Sequence, residues 1–516
     1  MDSSSDHSEK RPHVGSTVNP ADVDVAAQLT LGSNVKLDPE VAARLRRKID
    51  WHLMPLMCIM YLYAMTFADK TTLGQAAVLG LQKGAHLTQN QFNWLGSIFY
   101  FSYLAFEYPQ NLALQRFPVG KWMSINIFVW AIALMCHAAC KSFGALFAVR
   151  FILGLCEGAI TPGFMIVTSM FYTREEQNKR VGYWFLMNGF AVIFLGFVAF
   201  GVLHTNTHNF MPWQWSANAH HWLDHSCYVH LILVLLPRLA TTARFLTVEE
   251  RILAVERIKV NQAGVENKHW KREQFISTIK DKKIWLLAVF AALSNITNSL
   301  IVQRQLIVKQ FGFNPIQTTL LGCVDGVVEI VTIWAGVTLA SFKPIGRANA
   351  GAIMFIPAIL GAILVNVLPS HNKVGLLFSY WLTIFAITPF AISLGWLSSL
   401  TAGHTRRTTA NAMILVSYGI GNAVGPFMWK AKYQPRNHIP WAIITACSVA
   451  SALLLLIIRF VYARENTRRE NSAEKDSFDE YYIPQLQADG STVEKKVDRE
   501  FLDLTDIENK QFRYVL

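Results

Sequence analysis

The residues best placed to do chemistry are ionisable groups set inside long apolar stretches. One such stretch ends in Asp69-Lys70-Thr71-Thr72, and another carries Arg150 and Glu157, seven residues apart. In a helix that spacing is two turns, about 10 Å, and puts both groups on nearly the same face. An acid and a base on each of two helices can attract a carboxylate and accept a proton. Lys70 and Arg150 would hold the anion. Asp69 and Glu157 would titrate, with burial and the neighbouring cations pulling their proton affinity in opposite senses. Ionisable groups at membrane depth are costly, so they point to a pathway or its partners. The plainer alternative is a set of structural ion pairs.

Other polar groups in apolar stretches carry softer signals. Glu107 precedes Tyr108-Pro109 and suits packing or gating as well as ligand contact. Asp325 and Glu329 lie one turn apart and could face the other half of the chain. Gln303, Arg304 and Gln305 follow Asn295, Asn298 and Ser299, which make that stretch poorly helical. Broken or polar spans often line a cavity, so Gln303 and Gln305 are expected at a substrate. Asn411 is a further candidate, although it and Asn422 can equally bridge helices. Gly419–Gly425 reads as close helix packing. No nucleotide, metal or hydrolase motif survives its context, so neither enzyme activity nor a cofactor or metal is expected.

The elements that must position these groups follow from composition. Hydrophobic residues make up 52% of the 516 and charged residues 16%, against roughly 25% charged in ordinary globular proteins. About 20 apolar residues span a bilayer. Runs of that kind are expected at 52–70, 92–114, 122–140, 144–171, 181–203, 212–237, 284–308, 316–340, 349–368, 374–397, 407–430 and 440–462. They must be helices, because backbone groups in lipid are satisfied internally. The fold class is therefore an all-α membrane protein of twelve spans in two six-helix halves, 51–239 and 284–463. Residues 1–50 and 464–516 are expected as tails, with 1–35 and 465–516 solvated and flexible, and 240–283 as a central loop.

The net charge of +12 is spread in a way that argues against nucleic acid. Ten Lys/Arg fall in 244–283, whereas the loops expected on the other side hold Lys83 alone in 75–91 and none in 204–215. Cytosolic loops attract this excess, which puts both termini and the central loop in the cytosol. The seven cysteines, most of them within spans, show neither metal-ligand spacing nor a secreted disulfide framework. The first 50 residues lack an apolar stretch, so the first span itself is expected to target the chain. The spans can pack as one self-contained monomer.

The halves echo each other. Gln115-Arg-Phe-Pro-Val-Gly-Lys121 follows the second span and Phe342-Lys-Pro-Ile-Gly-Arg347 the eighth, 226 residues on (347 − 121). Thr173-Arg174 and Thr405-Arg406 follow the fourth and tenth, 232 apart (405 − 173). Two matches at nearly one offset point to a parallel duplication. They make Arg116, Gly120, Lys121, Gly346 and Arg347 the expected conformational turns.

The turn at 115–121, RFILGLCEGAITPGF at 150–164 and YTREEQNKR at 172–180 resemble the anion:cation symporter family of the major facilitator superfamily. DKTTL at 69–73 and QTTLLGCVDGVVEI at 317–330 are closer to its fungal allantoate permease branch than to its vitamin-carrying relatives. The resemblance implies proton-coupled uptake of a carboxylate by alternating access; the plasma membrane is the expected location, with the vacuolar membrane the alternative. It assigns substrate and proton to Asp69, Lys70, Arg150 and Glu157. Many members have Arg where this chain has Lys70, and Asn where it has Thr72. Lysine is a point charge and not a bidentate fork, which leaves the carboxylate geometry open. Allantoate, ureido acids and small peptides are the implied substrates. Nicotinate, pantothenate or another monocarboxylate is the alternative, and a non-transporting nutrient sensor the alternative class.

One segment breaks the pattern. The sixth span should occupy 212–237, yet Ser216–His225 reads SANAHHWLDH and only Leu231–Leu236 is continuously apolar. His220, His221, Asp224 and His225 are metal-ligand types, but the genetic code offers a better account. Reading each codon one nucleotide later turns Ile232–Ala240 into a permitted Phe-Trp-Phe-Phe-Phe-Pro-Asp-Ser-Pro, the family's usual ending of this span. A local frameshift or splice error across 216–240 would leave the chain as written inactive; a divergent but genuine sixth helix is the alternative.

Overall fold

The computed structural model describes residues 16–17, 38–63, 73–204, 211–214, 243, 245–259, 270–471, 481–486, 492–497 and 503–516. Asp69, Lys70 and the irregular segment 216–240 lie outside them.

Helices occupy the expected spans. The first is described over Pro39–Tyr63 and the next two run over Gln89–Arg116 and Val119–Ala139. The fourth divides into Phe143–Glu157 and Ile160–Phe171, and the fifth is continuous over Arg174–His204. In the other half the seventh divides into Lys282–Ile296 and Ser299–Gln310. The eighth and ninth cover Pro315–Ser341 and Gly346–Val367. The tenth is Lys373–Thr383, a 3-10 turn over Ile384–Ile387, then Thr388–Leu400. The last two are His404–Val424 and His438–Asn471. Among the described residues, eight spans are long and apolar enough to cross a membrane by composition. The first is described only in part, while the second and eleventh carry polar groups, Gln110 and Asn111 in one and Arg406 and Asn411 in the other, that lower their hydropathy. The sixth, expected at 212–237, lies outside the described residues beyond 214.

Local chemistry sets where spans begin. Thr88 caps the second span, accepting from the Gln91 amide while the Gln91 side chain accepts from the Thr88 amide. Asn314 and Gln317 form the same reciprocal cap on the eighth, 226 residues on (314 − 88). Such caps satisfy amides that a helix start leaves unpaired. Ser142 and Asn372 cap the fourth and tenth spans alike, 230 apart (372 − 142). Each of those spans then breaks mid-way, at 158–159 and at 384–387. The offsets match those of the basic turns, which strengthens the case for duplication.

The outer surface of the bundle is apolar, with Phe128, Phe194, Phe197, Ile356 and Phe460 each exposed by half or more. A soluble protein would bury such side chains, and lipid tails do not penalise them. The halves meet where the fifth span packs on the eighth and the second on the eleventh. On the fifth, Gly182, Gly189 and Gly196 stand against Val337, Gly326 and Cys323. Small residues let the two backbones approach closely.

The central loop is helical over Val248–Lys259 and Arg272–Lys280. Arg257 tucks under the fourth span, donating to Phe171 O at 2.5 Å and pairing with Glu176 at 3.2 Å. Burial holds its guanidinium below the usual arginine value, and Glu176 opposes the fall.

Residues 503–516 correct the expectation of a solvated, flexible tail. Phe512 and Tyr514 are buried in the main core and Leu516 packs against it. Asp506 meets Arg406 at 2.6 Å, Trp396 Nε1 donates to Val515 O at 2.6 Å, and Arg469 donates to Phe512 O at 2.9 Å. The segment carries its acids first, at Asp503, Asp506 and Glu508, and its aromatics after, at Phe512 and Tyr514, which suits the basic, aromatic ends of the helices beneath it. Outside the spans, a small sheet pairs Ser16–Thr17 with Tyr481–Leu486, which runs antiparallel to Thr492–Val497.

Candidate functional site

The breaks in the spans come together at the centre of the bundle. Around them lies a cavity of about 50 Å³ lined by Glu157 and Thr161 at the break in the fourth span and by Asn298 at the break in the seventh. Ile387, at the break in the tenth, lines it too, and Asn188 contributes from the fifth. Tyr61, Tyr103, Phe185, Phe390 and Tyr418 supply aromatic walls from both halves. Discontinuous helices are where membrane carriers expose polar backbone and side chains to a substrate.

A water needs roughly 10–15 Å³ of such space, so this cavity holds a few waters and no organic anion. It is bridged on both sides. At the loop end, Ser398 Oγ donates to Gln177 Oε1 at 2.6 Å across the halves. At the other end, Ser97 Oγ donates to Ala423 O at 3.1 Å and Asn93 Nδ2 to Trp429 O at 3.4 Å. Among the described residues the arrangement is contracted, and admitting a substrate requires the halves to part.

Glu157 lines the cavity, as its position on the fourth span suggested. Behind it sits Glu107 of the second span, fully buried, its Oε1 accepting from Asn111 Nδ2 at 2.7 Å. Its other oxygen lies against Gly158, the residue after Glu157; a Cβ there would be 3.4 Å from it. Gln110 braces the same region, donating to Asn126 Oδ1 at 2.8 Å and to Leu155 O at 3.0 Å. Among the described residues the site is thus a pair of neighbouring carboxylates in an otherwise uncharged cavity wall.

The other expected residues scatter. Arg150 is buried but does not line the cavity; its Nε donates to His137 Nε2 at 3.3 Å. Gln303, Gln305 and Asn411 are buried without lining it, Gln305 pressing against Gly322 of its own half. Asp325 and Glu329, which could have faced the other half, turn inward to their own: Asp325 accepts from Tyr380 and Trp381. Of the turn residues, Arg116 and Lys121 are exposed and Gly120 is buried. Gly346 has φ +74°, which a side chain would resist, and Arg347 donates to Gly395 O at 3.1 Å.

Sequence reasoning passed over Asn188 and the central tyrosines. Asn188 Oδ1 is buried and has no hydrogen-bond partner among the described residues. A lone amide in the apolar run of the fifth span was the available signal.

The Major Facilitator Superfamily profile matches residues 59–426. The chain is 32% identical to the thiamine pathway transporter THI73 of Saccharomyces cerevisiae, over 97% of this chain and 91% of that one. It is 31% identical to the allantoate permease of the same yeast, over 93% of this chain and 88% of that one. Among solved structures, the proton:xylose symporter XylE shares the fold with a TM-score of 0.61 at 13% identity, over 80% of this chain and 96% of that one. The twelve-span helical architecture, the cavity between two halves and these relatives agree: this chain is a membrane transporter, not an enzyme, and belongs to the major facilitator superfamily.

Proposed function

We propose that the chain couples an inward flow of protons to uptake of a small organic anion of the allantoate or ureido-acid type. It works as a monomer by alternating access in the plasma membrane, with both termini and the basic loop cytosolic. The observation that carries the reading is Glu157 on the cavity wall with Glu107 at its back. A carboxyl there takes up a proton when the cavity opens to the acidic side and gives it up on the other. The anion crosses with it because the paired charges neutralise each other in a poorly polarisable chamber. Lys70 and Arg150 are assigned to the anion, and Asp69 to the proton, on the resemblance to symporters.

The test uses the full chain in lipid vesicles. A gradient of about one pH unit is worth about 1.4 kcal/mol, so one coupled proton supports about tenfold accumulation of allantoate. Glu157→Gln is expected to abolish that accumulation while still eluting as a folded protein. Uptake that ignores the proton gradient overturns the symport reading. Competition by nicotinate and pantothenate then identifies the preferred anion.

A further inference from the structure

Three ionisable side chains meet inside the C-terminal half. Arg304 comes from the seventh span, and Asp325 and Glu329 lie one turn apart on the eighth; none is more than 3% exposed. Asp325 is well supplied with donors, the Tyr380 hydroxyl at 3.1 Å and the Trp381 indole N–H at 2.8 Å. Glu329 is not. Arg304 Nη2 stands 3.9 Å from its Oε2, and neither Glu329 oxygen has a hydrogen-bond partner among the described residues.

One guanidinium therefore faces two carboxylates. Neutral donors serve Asp325, so Arg304 is the group left to hold Glu329. The Glu329 carboxylate keeps its charge while the guanidinium stays beside it, and a proton must replace that cation when Arg304 turns to another anion, because a bare charge there is most expensive. The charges acting on Glu329 are Arg304 and Asp325, with the Tyr380 hydroxyl also in range. Among the described residues, the fifth, ninth and tenth spans, which pack on the eighth, add no further charged group that acts on it.

Arg304 also lines a small side cavity of about 20 Å³ with Asn298, Ile301 and Ile387, all three of which line the central cavity too. The guanidinium is in reach of Glu329 and borders a space adjoining the substrate chamber. We propose that Glu329 is a second protonation site that shares Arg304 with the transported anion. A proton taken from water onto the Glu329 carboxylate releases Arg304 to an incoming carboxylate; when the anion leaves, Arg304 returns to Glu329 and the proton goes back to water. The anion half of this rests on the symport reading above, while the proton on Glu329 stands independently of it.

The experiment therefore has two arms, both on the full chain in lipid. Infrared pH-difference spectra of the wild type are expected to show a protonated carboxyl band that Glu329→Gln removes. Should that variant fail to fold, Glu329→Asp keeps a carboxyl and is expected to shift the band and its titration. In the second arm, Glu329→Gln is expected to remove about one tenfold step per pH unit from the pH dependence of allantoate affinity. Wild-type vesicles without proton-driven uptake overturn the symport reading, and the infrared arm still decides where the proton sits. A folded variant with the wild-type band and the wild-type pH profile overturns the inference alone.

Discussion

Replacing Arg406 with alanine is expected to cost the folded protein about 3–5 kcal/mol, the usual penalty for stranding buried charges whose partner is removed. Arg406 begins the eleventh span and is 1% exposed; it holds Asp506 at 2.6 Å and Asp281 at 2.6 Å. Deleting it leaves two buried carboxylates with their main cation gone. Asp506 also accepts from the Ala402 amide at 3.2 Å and from the Tyr514 hydroxyl at 2.9 Å, so the loss spreads along the docked segment. The readouts are a fall in the denaturation temperature of the purified protein and new tryptic cleavage at Lys510 and Arg513. Asp506→Asn is the informative partner. It leaves a one-to-one pair between Arg406 and Asp281, so its cost should be clearly smaller. Equal, slight effects from both variants, with the segment still protected, would show that aromatic packing alone holds it.

This contact also shows what could and could not be read in one dimension. Hydrophobic runs of bilayer length located the spans, because lipid leaves the backbone no alternative to helix. The weak helix of the seventh span was visible in Asn295, Asn298 and Ser299, and it breaks there, at the central cavity. Glu157 was legible because its apolar surroundings made a charge conspicuous. Glu107 was equally conspicuous, but its nearness to Gly158 is a contact between spans that no local spacing encodes. The docked segment was hidden for the same reason. Its acids, 100 residues from Arg406 for Asp506 and 99 from His404 for Asp503, look like solvated charges until the helix ends that receive them are assembled. Arg347 read as part of a basic turn; that it is 4% exposed, with its backbone amide donating to Leu516 O at 3.0 Å, depends on a segment far along the chain. Asp69, Lys70 and the sixth span stay where the sequence reading left them.

The contact between the halves predicts the second large effect: Gly326→Val should reduce uptake at least about tenfold. Gly326 and Gly189 face each other reciprocally, and a Cβ on either would lie 2.5 Å from the other's carbonyl oxygen. On Gly326 the same atom would also meet Ile193 Cγ1 at 2.7 Å and Ile193 N at 3.1 Å. A rotamer change relieves the contact with Ile193 Cγ1, but two of these three atoms are backbone, so the fifth and eighth spans must separate. Overpacking of this kind usually costs about 1–3 kcal/mol, which a large helical bundle can survive. Transport is less tolerant. The fifth and eighth spans join the two halves, and every opening of the central cavity must move one half against the other across this seam. A bulge there penalises the contracted state, in which the seam is closest, and about 1.4 kcal/mol against one state of the cycle already shifts its population tenfold. Gly201→Val is the control, since a Cβ at Gly201 on the fifth span meets nothing within 4 Å. Uptake per folded molecule, normalised to the monodisperse fraction, separates the readings. A Gly326→Val protein that transports like the Gly201→Val control would mean that the halves move without keeping this contact, and the pivot would have to lie where the second span meets the eleventh.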